Sequence, residues 1–222
     1  MVKPPSSENG RHIAAGPFGS WLSQMRECLR GNGGAEVPCG DCTGCCTSSY
    51  FIHIRPEDSH TLAKVPARFL ARAPGRPRGH MLMGFSPDGL CPMLKESTCS
   101  IYQQRPRSCR DYDCRIFAAA GIDAGGEDKA VINRRVRAWR FTYASEADRR
   151  AHSAVRTAAR FIQKQRATFP GGRVPTAPSD IAVLAIKVYT VFLEAGTKSR
   201  SRVEIANAII STSQEFDKDL ER

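Results

Sequence analysis

Residues 39–46 read CGDCTGCC and place four cysteines, Cys39, Cys42, Cys45 and Cys46, within eight positions. A second block, CPMLKESTCSIYQQRPRSCRDYDC at 91–114, supplies Cys91, Cys99, Cys109 and Cys114. Thiolates are soft ligands, and four of them complete a tetrahedral zinc site or the coordination of an iron–sulfur cluster. Two intervening residues let the chain turn so that both sulfurs of a CxxC face one point. The two blocks thus read as two halves of a metal site, serving one centre or two. Cys46 departs from the bacterial ferredoxin spacing, which continues with three residues and then Cys-Pro. Because adjacent side chains diverge, Cys46 points to a second centre or to the far side of a shared cluster. The metal would close the loop of about 45 residues between the blocks, which couples its binding to folding. The readings without metal are a set of buried or redox thiols and a vicinal Cys45–Cys46 disulfide. Paired short spacings count against the first, and a reducing compartment against the second.

Other candidate residues carry weaker signals. Cys28 stands outside both blocks, on the face of an apolar helix, and reads as a core or surface thiol. His53 lies on a strand beside the cluster, where it is an ordinary strand histidine, a replacement for one thiol ligand, or a group that hydrogen-bonds one. His12, His60, His80 and His152 have no informative spacing. Asp111 and Asp113 sit among Arg105, Arg107, Arg110 and Arg115, an arrangement that local ion pairs explain.

The elements that must position these residues follow from periodicity. SWLSQMRECLR, with Trp21, Leu22, Met25 and Leu29 at helical spacing, predicts a short helix ended by the GNGG break. YFIHIR predicts a strand closed by Pro56, and PEDSHTLAKVPARFL a helix start. HMLMGFSPDGLCP predicts a hairpin, or a strand followed by a turn. All nine cysteines precede residue 115, and beyond the loop GIDAGGED at 121–128 the chain reads as helical throughout. Apolar residues from Ile132 to Ile162 recur every three or four positions, as one long amphipathic helix or as two with the second starting at Ser145 and Asp148. A helix over about 179–194 follows FPGGRVP, and Ser201 with Glu204 forms a capping-box signature for a last helix. The domains expected are an arm with a short helix over 1–35, a cysteine-cluster metal-binding domain over 36–120 and a helical region over 121–222. The fold class expected is α+β, mainly α: a small metal-bound cysteine unit with a few short strands, then a helical half.

Composition sets the bounds. The chain has 222 residues, 41% of them apolar, enough for a buried core. Nine cysteines in 24.4 kDa are well above ordinary usage but below the density of small disulfide-built secreted scaffolds. The N-terminal stretch has Pro, Ser and Gly where a secretory signal needs an unbroken apolar run, so a cytoplasmic protein is expected. The most apolar segment, IAVLAIKVYTVFLEA at 181–195, is too short to span a bilayer and contains Lys187. A formal charge of +11 is compatible with an acidic protein or a nucleic acid as partner. Arg134, Arg135, Arg137, Arg140, Arg149, Arg150, Arg156 and Arg160 fall mostly on the polar side of the helical pattern. That stripe could track phosphates, or it is a solvated helix face.

The order C-x2-C-x2-C-C, then Cys-Pro, then CSIYQQRPRSCR with a following Tyr and Cys, resembles the cysteine-cluster domain family of the CxxCxxCC or YkgJ type over roughly 36–117. The resemblance implies a zinc- or iron-chelating domain with no assigned reaction. A similar motif accompanies the flagellin lysine N-methylases, but the chain has no glycine-rich strand-to-helix turn for a methyl donor. The functions expected are therefore a metal-binding protein holding zinc or an iron–sulfur cluster, an iron–sulfur redox or protein-modifying enzyme, or a zinc-stabilised nucleic-acid-binding module.

Overall fold

The computed structural model describes residues 12–32, 34–35, 37, 42–193 and 200–218. Its class is α+β, mainly α. Strand β1 (Ile13–Pro17) and helix α1 (Phe18–Leu29) precede the cysteine loop. Then come β2 (Ile52–Ile54), α2 (Ser59–Leu62), β3 (Leu70–Arg72), β4 (Met81–Met83), β5 (Leu94–Lys95) and β6 (Thr98–Cys99). Helices α3 (Arg107–Asp111), α4 (Arg115–Ala120) and α5 (Ala130–Ala138) follow, then β7 (Trp139–Thr142), α6 (Glu146–Lys164), α7 (Pro178–Val188) and α8 (Arg202–Lys218).

The chain divides into two compact units that are not consecutive in sequence. A cysteine unit takes Glu27–Cys114 and Gly125–Asn133, and a helical unit takes Met1–Arg26, Arg115–Ala124 and Arg134–Arg222.

The cysteine unit is built on an antiparallel sheet in the order β2-β4-β3, with Ile52 opposite Met83 and Leu70 opposite Met83 on its other side. Alternation along these short strands turns Ile54 and Met83 inward, where they form an apolar cluster with Val65, Met93 and Ile101. Cys91 and Cys99 pack against that cluster, Cys99 from the β5–β6 hairpin. HMLMGFSPDGLCP is thus a strand followed by a turn, and β4 pairs with the preceding β3 rather than with anything after the turn.

In the helical unit, α6 is amphipathic as its spacing requires, burying His152, Ala154, Val155, Ala158, Ala159 and Ile162. The small alanines of α6 and of α7 let helix axes approach closely, and α4, α6, α7 and α8 share one core. Ser145 caps α6 by accepting the Asp148 N–H at 3.2 Å. At α8 the capping box is complete: Ser201 N–H donates to Glu204 Oε2 at 2.6 Å and Glu204 N–H to Ser201 Oγ at 3.2 Å.

The expectation of an all-helical C-terminal half is corrected by β7. Trp139–Thr142 interrupts the helical pattern and pairs in parallel with β1, Ile13 opposite Trp139 and Pro17 opposite Thr142. The single-helix alternative for 132–162 therefore fails, and the N-terminal arm contributes a strand. The β1 register shifts between Ala14 and Gly16, where Gly16 takes φ +90, a conformation open to glycine. Buried Arg115 donates to the Ala15 carbonyl at 3.1 Å and holds β1 in place. The arginine stripe is likewise divided among α5, β7 and α6. Arg135 is buried with its guanidinium 4.8 Å from the Trp139 ring, and Arg137 pairs with Asp123 at 2.6 Å.

Beside the parallel pair, His152 is buried with its ring stacked on Phe18, and the Tyr143 hydroxyl lies 2.7 Å from its Nδ1. Burial, then nearby Arg156, holds its imidazole down to about 4. Unfolded, the same group takes a proton near 6.5. The unfolded chain therefore gains the proton first as pH falls through that window, and stability drops by about 2 kcal/mol on reaching roughly pH 5. Urea unfolding at about pH 7.5 and about pH 5 should show a loss in the wild type that exceeds the loss in His152→Gln by that amount. Equal losses in the two proteins would mean that the imidazole titrates alike in both states.

Among the described residues, no helix is long and apolar enough to cross a membrane.

Candidate metal centre

Cys42, Cys45 and Cys46 lie on one loop. Cys45 and Cys46 open a short 3-10 turn, Cys45–Thr47, whose Ser48 side chain ties back to the Gly44 carbonyl at 2.6 Å. Two hydrogen bonds staple this loop to the second block: Cys91 N–H donates to the Cys46 carbonyl at 2.7 Å, and Ser49 Oγ donates to the Gly89 carbonyl at 3.0 Å. The blocks separated by about 45 residues in sequence are therefore adjacent in space through main-chain bonding.

From the second block, Cys91 leads into the β5–β6 hairpin, Cys99 ends it, Cys109 sits in α3 and Cys114 immediately precedes α4. The electrostatic neighbours of Cys46, Cys91 and Cys109 link the two blocks. Cys46 is acted on by Cys45, Cys91 and Cys109; Cys91 by Cys99 and Cys45; Cys109 by Cys45, Cys91 and Cys99. Cys114 and Cys45 both act on Tyr112. Cys39 lies outside the described residues. Cys28 is held apart from this set: its charged neighbours are Asp111, Arg107 and Asp113.

Ionisation within the cluster is uneven. Cys45 is lowered to about 7, first by the hydrogen bond from the Cys46 thiol and further by the backbone N–H groups of Cys45 and Cys46. Cys46 is raised correspondingly, because it supplies the proton to that bond, and burial adds to the effect. Burial pushes Cys109 up to about 12, with Cys45, Cys91 and Cys99 adding to the cost of a negative charge. Cys91 is raised by burial, against which the N–H groups of Met93 and Leu94 work. A set of desolvated thiols ionises only if a cation offsets the accumulating charge.

The donor set fits such a cation in three respects. The ligands available are thiolates, the choice of zinc and of iron–sulfur clusters. Backbone N–H groups point at sulfur, including Gly44 N–H at 3.5 Å from Cys42 Sγ, and hydrogen bonds of this kind stabilise metal-bound thiolates. The Tyr112 hydroxyl is buried without a hydrogen-bond partner among the described residues, beside Tyr50 and within the influence of Cys45 and Cys114. A sulfur carrying charge would satisfy that donor. Among the described residues, no three His, Cys, Asp or Glu side chains stand close enough together to hold an ion as they are. Cys45 and Cys46 are free thiols, without the vicinal disulfide.

Residues well past the last cysteine complete the unit. Lys129 donates to the Ser48 carbonyl at 2.8 Å and lies over the Tyr50 ring at 4.3 Å, which brings a positive charge to the cysteine loop. Asn133 anchors the returning segment through the Gly125 carbonyl at 2.9 Å. Lys129 has no linear signature, since its acceptor lies in a distant loop, whereas Asn133 reaches back within its own segment. Asp111 pairs with Arg107 at 3.1 Å as expected, whereas Arg110 approaches Asp58 at 3.7 Å. His53 turns to His80, its Nε2 2.8 Å from His80 Nδ1.

Residues 38–133 match the family model CxxCxxCC, described as "Putative zinc- or iron-chelating domain". The match runs past Cys114 to the residue at which the returning segment of the cysteine unit ends. No curated protein and no solved structure matches the chain.

Proposed function

We propose, taking residues 38–133 as a zinc- or iron-chelating domain of the CxxCxxCC family, that the cysteine unit binds a thiolate-held metal centre, zinc or iron–sulfur. Its ligands are drawn from Cys39, Cys42, Cys45, Cys46, Cys91, Cys99, Cys109 and Cys114. The observation that carries this reading is the meeting of thiols from both blocks around the Cys91–Cys46 main-chain bond. Burial makes Cys91 and Cys109 poor acids alone, and the charge of neighbouring thiols makes joint ionisation costly without a cation. Zinc would supply a structural brace, and an iron–sulfur cluster would add electron transfer. On this reading the thiols belong in a reducing compartment such as the cytoplasm.

The test is anaerobic purification, with elemental analysis and a visible spectrum on one sample. About one to two zinc per chain without a visible band assigns a structural or chelating module. Iron with matching sulfide and a broad band near ~400 nm assigns an iron–sulfur protein. Chain that holds neither metal, as purified and after anaerobic reconstitution, overturns the reading.

A further inference from the structure

Within the cysteine unit, a cavity of about 650 Å³ opens between the end of β2, the turn before β4 and α3. Four guanidinium groups line it, those of Arg55, Arg76, Arg107 and Arg110. Only two carboxylates accompany them, and one of these is already committed. Asp58 is buried, and its two oxygens accept the backbone N–H of Arg55 at 3.1 Å and of Arg107 at 3.0 Å. It braces the cavity and, 3.7 Å from Arg110, offsets one of its four positive charges. Arg107 is partly engaged by Asp111 and by the Gly31 carbonyl. Arg55 and Arg76 have no side-chain hydrogen bond or ion pair to any described residue. The stacked rings of His53 and His80, 5.0 Å apart, form a further wall.

Two guanidiniums without a counter-ion, Arg55 and Arg76, beside the paired Arg107 and Arg110, give this concave space an excess of positive charge that repels cations and attracts oxyanions. The planar guanidinium fork matches phosphate and carboxylate oxygens in pairs. A carboxylate offers two oxygens and one charge, whereas a phosphate monoester offers three strong acceptor oxygens and nearly two charges. The number of forks favours the phosphate. The volume far exceeds that of a phosphate group and lies in the range of about 300–1,000 Å³ that accommodates whole small molecules.

We propose that this cavity binds a small phosphate ester through Arg55, Arg76, Arg107 and Arg110. The site is separate from the thiols, although α3 carries Cys109 together with Arg107 and Arg110. Occupancy there would be communicated to the metal-binding residues through a single short helix.

The probe is phenyl phosphate, titrated calorimetrically into the full chain as purified. The expected result is saturable binding at one site per chain, at least roughly tenfold weaker in the Arg55→Gln/Arg76→Gln variant, since each charge-assisted contact is worth about that factor. Arg156→Gln/Arg160→Gln, on exposed α6 positions of the helical unit, should bind as the wild type does. Metal content and far-UV circular dichroism check that the variants fold. Arg76 lies on an exposed turn, so Arg76→Gln alone replaces the double variant should the latter fail to fold. The proposal is overturned by absence of saturable binding, by unchanged affinity in the arginine variant, by equal affinity for the dicarboxylate phthalate, or by a single-stranded RNA oligomer that displaces phenyl phosphate from the same arginines.

Discussion

Cys91→Ser should lower metal stoichiometry and release protection from hydrogen exchange across residues 42–114, while α6 and α7 stay protected. Cys91 does three things at once. Its thiol interacts electrostatically with Cys45, Cys46, Cys99 and Cys109, its side chain packs on the apolar cluster of Ile54 and Met83, and its N–H bonds the Cys46 carbonyl. Serine keeps the main-chain bond and nearly the volume, so the variant isolates the sulfur. Thiolate-held zinc contributes on the order of 10 kcal/mol to the folding of small sites, and the loss of one ligand should forfeit several of these. Cys99→Ser and Cys109→Ser should behave alike, and Cys28→Ser should retain its metal. Full occupancy in Cys99→Ser would remove that residue from the ligand set.

Phe18→Ala should destabilise the helical unit by about 4 kcal/mol, which for a chain of this size lowers Tm by roughly 10 °C. Phe18 is fully buried where α1 begins. It stacks on His152 at 4.3 Å and meets the edge of Phe141 at 5.1 Å, so it links α1 to both β7 and α6. Truncation leaves a cavity lined by rings, which are too stiff to collapse into it. Phe18→Leu, which fills much of that space, should cost about 1 kcal/mol. Thermal unfolding of metal-replete protein followed by circular dichroism measures both, and a shift below about 3 °C for the alanine variant would mean that the ring cluster does not carry the unit.

Elements held by local chemistry were legible in the sequence. Trp21, Leu22 and Met25 mark the buried face of α1, Ser145 with Asp148 the start of α6, and Ser201 with Glu204 the start of α8. Each depends on residues within one or two turns. What escaped depends on partners far away. In β7, Trp139 and Phe141 alternate with Arg140 and Thr142 at strand spacing, yet Trp139 also continues the three-and-four series from Ile132 and Val136 to Tyr143, and length alone does not separate the two periods. Strand β1 has no hairpin signal because its partner is parallel and distant. At the metal centre the cysteine types and short spacings were visible, together with the family they resemble. The contribution of Lys129 was not, because its acceptor Ser48 is remote in sequence. The pairing of His53 with His80 and the convergence of Arg55 with Arg76 were hidden in the same way. They arise from loops of a sheet whose register no linear motif records.

The parallel pairing of Ile13–Pro17 with Trp139–Thr142 has a consequence for synthesis on the ribosome. The first strand leaves the exit tunnel before any of the cysteines, and its partner follows about 120 residues later. At roughly 5–20 residues per second, Ile13 and the ring of Phe18 are without their native neighbours for on the order of ten seconds. Over the same interval Cys42 through Cys114 emerge, and on the proposed function they would be free to take up metal. The cysteine unit thus has the opportunity to mature as a nascent chain, whereas the helical unit must wait for its last segment, and a chaperone that shields the N-terminus would be most useful during that delay.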